Sequence, residues 1–214
     1  MSDYFLKMLW IMVVVCFPPP QLAAQCTGNL GDNIFTNGDF GSGAANVLTP
    51  DPQIAPGYTY QLNPPPDDGY YTITNNITNW GSFAATAWVN IGDNSSDPNG
   101  YMMIVNASFD TGLFYEQVVE GLCENTLYFF SADVFNLFES GDGIKPNISF
   151  LLDGVVFYET GDVPENLQWN TYGFTFTTGP GQTSLTLALR NNAPGGIGND
   201  LALDPGIGVC GKNG

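Results

Sequence analysis

Carboxylates, amides and aromatics are the side chains of this chain that could do chemistry, because the usual nucleophilic and metal-binding sets are missing. There is no histidine, which excludes a Ser-His-Asp or Cys-His nucleophile, His-ligated zinc and imidazole acid/base work. Abundant carboxylate and amide oxygens instead suit a hard cation such as calcium. Asp200 and Asp204 stand four apart, an even offset that puts both on one face of a regular strand. Asp67-Asp68-Gly69, the segment from Asp93 to Asp97 and that from Glu139 to Asp142 match no twelve-residue calcium loop and read as solvated turns. Trp80, Trp88, Trp169, Tyr101 and Tyr115 could stack on the apolar face of a sugar, with Asn90, Asn106, Glu116 and Gln117 to read its hydroxyls. Trp88, Tyr115 and Trp80 are the expected carbohydrate-binding residues.

Four Lys and Arg against 21 Asp and Glu, a formal charge of −17, argue against nucleic acid and against anionic membrane surfaces as partners. Catalysis has little support. Glu116 and Glu120 are separated by Gln-Val-Val and do not form the ExDxxE strand signature of laminarinase-type glycosidases, and Arg190 is the one arginine available to a lyase. The protein is therefore expected to be noncatalytic.

The elements that must position these groups begin after an export signal. Lys7 precedes a short apolar run from Leu9 to Phe17, three prolines end it, and Leu22-Ala23-Ala24 offers a small residue before a cut at Gln25. The run is too short to span a bilayer, which needs about 20 apolar residues. Residues 1–24 read as a signal peptide and 25–214 as a single secreted or surface domain with no membrane insertion. Removing Asp3 with Lys7 leaves the charge unchanged. Cys26, Cys123 and Cys210 remain and allow one disulfide with three pairings, of which Cys123 with Cys210 is the one expected.

Downstream, the apolar runs are short, rich in β-branched and aromatic residues, and bounded by Gly, Pro, Asn or Asp. They predict strands at Asn33 to Thr36, Gly69 to Thr74, Ala87 to Ile91, Tyr101 to Ala107, Leu113 to Val119, Leu127 to Leu137, Asn147 to Leu152, Val155 to Glu159, Thr171 to Thr177, Ser184 to Arg190 and from Leu201 onward. Eleven strands with no helical period predict an all-β, two-sheet sandwich. Tyr172, Phe174 and Phe176 share one strand face, and Leu185, Leu187 and Leu189 another, so each face must meet a second sheet. Asp153-Gly154 predicts a tight hairpin turn. The proline-rich stretch from Gly41 to Pro66 predicts a long loop wrapping an edge or end of the sandwich, and the Gly-rich stretch from Asn191 to Gly198 a loop rather than a nucleotide cradle.

Several segments carry a resemblance: Asn37-Gly-Asp-Phe40, Gly100 to Asn106, Phe114 to Val119, Thr126 to Asp133 and Asn199-Asp-Leu-Ala-Leu-Asp204. In this order they resemble the calcium-containing jelly rolls of carbohydrate-binding modules, in the galactose-binding-like superfamily. More closely, the chain is similar to the N-terminal domain of gliding-motility-associated or adhesin-like surface proteins exported by Bacteroidetes. It departs from that pattern at Pro205-Gly206, where proline should bend or shorten the last strand. The resemblance implies a structural calcium held by Asp39, Asp200 and Asp204 with backbone oxygens of Gly38 to Gly41. It also implies a polysaccharide or cell-surface glycan as ligand. The other expectation is a structural or protein-interaction domain of a larger surface protein, with protein partners and no sugar.

Overall fold

The computed structural model describes residues 40–211 other than 79, 82 and 140, with those from 205 onward described by their backbone alone. The predicted signal peptide, the strand at 33–36, Cys26 and Asp39 lie outside the described residues.

Ten strands form: β1 Thr59–Tyr60, β2 Tyr70–Thr74, β3 Met102–Asn106, β4 Gly112–Glu120, β5 Leu127–Asn136, β6 Asn147–Leu152, β7 Val155–Asp162, β8 Asn170–Thr177, β9 Ser184–Asn191 and β10 Leu201–Gly211. They make a two-sheet jelly-roll sandwich, one sheet ordered β1-β2-β3-β10-β5-β8 and the other β4-β9-β6-β7. Asp153 and Gly154 turn β6 into β7 with φ of 47° and 77°, the conformation that turn needs and glycine accepts without strain.

Period-two patterning builds the main core. Leu185, Leu187 and Leu189 of β9 and Ile148, Phe150 and Leu152 of β6 face Phe130, Ala132 and Val134 of β5, with Leu201 and Leu203 of β10 beside them. The Phe130 and Phe150 rings meet edge to face at 5.1 Å across the sheets. Burying each such side chain contributes about 1.5–3 kcal/mol.

The outer face of the six-stranded sheet is buried too. Met102 and Ile104 alternate with the inward Met103 and Val105 and, with Phe135, Leu137 and Ala202, pack beneath Ile77, Trp80, Ala84 and Trp88. This cover corrects the strand expected at Ala87 to Ile91. The small residues Ala84–Ala87 form one helical turn, α1, after which Trp88 makes an isolated bridge to Phe138. With its apolar side chains turned down onto the sheet, the segment acts as a lid on that face and joins no sheet.

The proline-rich loop wraps an edge, as its composition implies. Val47 bridges Thr74 of β2, while Gly57 N–H donates to Leu113 O and Glu116 N–H to Ile54 O, so the open edge of β4 is covered. At Pro205, β10 bends rather than ends. It pairs with β3 as far as Leu203, whereas on β5 the register passes from Asp204 opposite Asp133 to Gly208 opposite Ser131 through a bulge.

Candidate functional site

A cavity of about 460 Å³ opens where the lid meets one end of the six-stranded sheet. Four aromatic rings, those of Phe83, Trp88, Phe109 and Phe138, contribute to its walls, with Ile197. Asp68, Asn106 and Asp200 supply its polar groups. Local structure explains the assembly. Asn106 ends β3, Asp200 precedes β10, and Phe83 and Trp88 flank the helical turn. Gly195 in the loop before β10 lies so near Phe109 that a Cβ there would overlap the Phe109 backbone. Phe109 and Ile197 remain about three-quarters exposed, at 71% and 74%, and leave an apolar rim facing solvent.

Asp200 is held from two sides. Trp88 Nε1 donates to its Oδ2 at 2.9 Å and the Ala107 backbone N–H to its Oδ1 at 3.0 Å. Burial pushes its pKa up to about 6; the two donors oppose that rise and the charge of Asp68 adds to it. Asn106 is buried, with Nδ2 donating to Pro66 O at 2.9 Å. A second depression, of about 450 Å³, lies beside β6 and β7 and is lined by Lys145, Asn147, Glu159, Asp162 and Asn192. It lacks an aromatic wall on which a ring could stack.

The expected site residues are dispersed. Tyr115 is fully buried between the sheets with its hydroxyl donating to Gln117 Oε1 at 2.7 Å, so it offers no stacking surface. A bulge between Leu113 and Tyr115 turns Phe114 and Tyr115 inward together. Trp80 is buried as part of the lid, its ring 6.3 Å from that of Trp88. Trp88 is also buried, yet one side of it lines the cavity. An exposed platform of Trp80, Trp88 and Tyr115 is thus not formed, because each ring is spent on packing. Phe83, Phe109 and Ile197 went unnoticed in the sequence, where a large aromatic between Ser108 and Asp110 was the one available signal.

Asp200 and Asp204 do face the same side of β10. At about 3.3 Å per residue they are roughly 13 Å apart, too far to share one ion. Asp200 is engaged by Trp88 and Ala107, whereas both carboxylate oxygens of Asp204 are buried without a hydrogen-bond partner. Burial pushes Asp204 up to about 8, and the negative charges of Asp93 and Asp133 add to the rise. A calcium held jointly by Asp200 and Asp204 does not fit this geometry. Among the described residues there is no group of three acidic or cysteine side chains that could hold a metal ion. Cys123 is disulfide-bonded. Among the described residues no helix is long and apolar enough to cross a membrane.

No known protein family and no curated protein matches the chain in sequence. Solved structures resemble it in fold. The Stig cyclase Fisc from Fischerella sp. TAU, in complex with (3Z)-3-(1-methyl-2-pyrrolidinylidene)-3H-indole, is 14% identical, with 86% of this chain and 98% of that chain covered and a TM-score of 0.54. A cyclase from the same source, in complex with 4-(1H-indol-3-yl)butan-2-one, is 13% identical over 83% and 96% of the two chains, also at 0.54. A carbohydrate-binding module of the CBM4 type is 16% identical over 68% and 73%, at 0.32. At these identities the likeness to the cyclases extends to the fold alone.

Proposed function

We propose that the chain is a noncatalytic, exported jelly-roll module that captures glycans at or outside the cell surface. The observation that carries this reading is the cavity beside Trp88, where aromatic walls meet Asp200, Asn106 and Asp68. A sugar has one apolar face and a rim of hydroxyls, so it suits a concave site with rings on its walls and a few convergent oxygens. The exposed Phe109 rim would widen contact to a second sugar unit. A disulfide between Cys123 and Cys210 belongs to this exported state.

The test is retention of the purified protein on a panel of polysaccharides and cell-surface glycans, comparing wild type with Phe109→Ala. Because Phe109 is exposed, its loss should leave melting unchanged while retention of one glycan class falls at least about tenfold. A folded wild-type protein that retains no glycan sinks the reading.

Asp200 favours a second reading. A partly protonated carboxyl in an apolar cavity can deliver a proton to a small substrate near neutral pH, and the fold-alike cyclases bear indole ligands. Turnover of an indole-bearing compound that is lost in Asp200→Asn with binding retained would establish it over glycan capture.

A further inference from the structure

The cavity beside Trp88 is electrically one-sided. Its charged lining residues are Asp68 and Asp200, and no Lys or Arg among the described residues lines it. The described cations belong elsewhere: Lys145 lines the depression beside β6 and β7, and Arg190 of β9 donates from Nε to Asn192 Oδ1 at 2.9 Å. Asp67 beside Asp68, and Asp110 beside Phe109, are exposed and add to the negative charge near the cavity. With −17 on the whole chain, the field at this site favours a positive ligand and opposes a negative one.

Asp200 is placed to receive a charged donor. A carboxylate oxygen has two acceptor positions. Trp88 Nε1 takes one on Oδ2 and the Ala107 N–H one on Oδ1, so the group is fixed in orientation and each oxygen keeps a position for a further donor. Hydrogen bonds from an ammonium to a carboxylate are roughly twice as strong as those between neutral groups, and apolar walls strengthen them further. The four aromatic rings of the walls add to this, because the face of a ring attracts a cation.

We propose that this cavity selects sugars that carry a protonated amine, the 2-amino sugars with a free amino group. The inference rests on the glycan reading above and names the class of glycan. The ammonium donates to Asp200 while the sugar ring lies against Trp88 and Phe109, and Asp68 attracts the next charged unit. An N-acetyl group keeps the sugar skeleton but removes the charge, and a uronic acid reverses it. The site therefore discriminates by leaving Asp200 unanswered in the first case and by repulsion in the second.

The experiment compares, by calorimetry at neutral pH, hexamers of glucosamine, N-acetylglucosamine and galacturonic acid. Salt of about 0.15 M screens diffuse attraction to the acidic surface beyond about 8 Å. Wild type should bind the glucosamine hexamer at least about tenfold more tightly than either of the others. Asp200→Asn should bring it within about twofold of the N-acetylated hexamer, and the exposed Asp68→Asn, which does not disturb folding, should lower the preference by about half. Glu120→Gln removes an exposed carboxylate from β4 of the other sheet and should keep the wild-type preference. The inference is overturned if the preference survives Asp200→Asn and Asp68→Asn, or if Glu120→Gln lowers it as much as they do. Equal binding of the neutral or acidic hexamer, weakened by Phe109→Ala, overturns the inference and leaves the glycan reading standing. A folded wild type that binds no hexamer and no glycan of the wider panel overturns both.

Discussion

Trp88 Nε1 donates to Asp200 Oδ2 at 2.9 Å across 112 positions of sequence, and this bond ties the lid over the outer face to the start of the last strand. The same indole closes one side of the cavity, so packing of the second core and shape of the candidate site depend on one side chain.

Asp200 should make stability pH-dependent. Burial raises its pKa from 3.8 to about 6 in the folded chain, so between those values the native state keeps a proton that the unfolded state has released. The stability it contributes is present below about pH 4 and is lost as pH rises through about 6. Melting of Asp200→Asn should lack this component of the fall. In Trp88→Phe the indole donor that favours the charged form is gone, and the fall should move to higher pH. Parallel melting curves for wild type and Asp200→Asn from pH 4 to 7.5 would refute the assignment.

Gly195 and Gly179 should respond differently to a methyl group. At Gly195 a Cβ overlaps the Phe109 backbone, and Gly195 N–H donates to Phe109 O at 3.1 Å, so alanine must push the two loops apart. A loss of about 1–3 kcal/mol is expected, together with weaker ligand retention. At Gly179 the nearest atom is a Gln182 side-chain oxygen at 3.9 Å, and alanine there should melt like wild type. Chemical denaturation of the two variants decides the matter.

Both faces of the six-stranded sheet should behave as core. Leu187 lies between the sheets and Ile104 beneath the lid, each with no exposed surface. Alanine at either position should cost about 2–5 kcal/mol in urea unfolding. A loss under about 1 kcal/mol at Ile104 would mean that the lid leaves the sheet in solution.

Cys123 is expected to pair with Cys210. Cys123 N–H donates to the Tyr128 hydroxyl at 2.8 Å, and Tyr128 stands opposite Gly211, next to Cys210. Peptide mapping without reductant should recover Cys123 joined to Cys210. Recovery of Cys123 joined to Cys26 would exclude it. Reduction should destabilise the domain by about 2–5 kcal/mol.

The all-β class, nine strand positions among the described residues and the Asp153-Gly154 turn were legible in the sequence, because strand alternation and turn chemistry are local properties. Leu185, Leu187 and Leu189 announce an inward face wherever the chain goes. What covers the other face is a long-range matter, and Met102 and Ile104 could not reveal that Trp80 and Trp88 would be spent on it. The wrapping of 41–66 was expected from its composition, but its pairing with β4 was not. The even spacing of Asp200 and Asp204 correctly put them on one face, yet the strand rise separates their partners. The sequence by itself determined which stretches extend and which sides of them are apolar. Tertiary structure alone decided that Trp88 meets Asp200 and that Asp204 faces Asp133 and Asp93, because strand order and loop placement bring together residues that no local pattern relates.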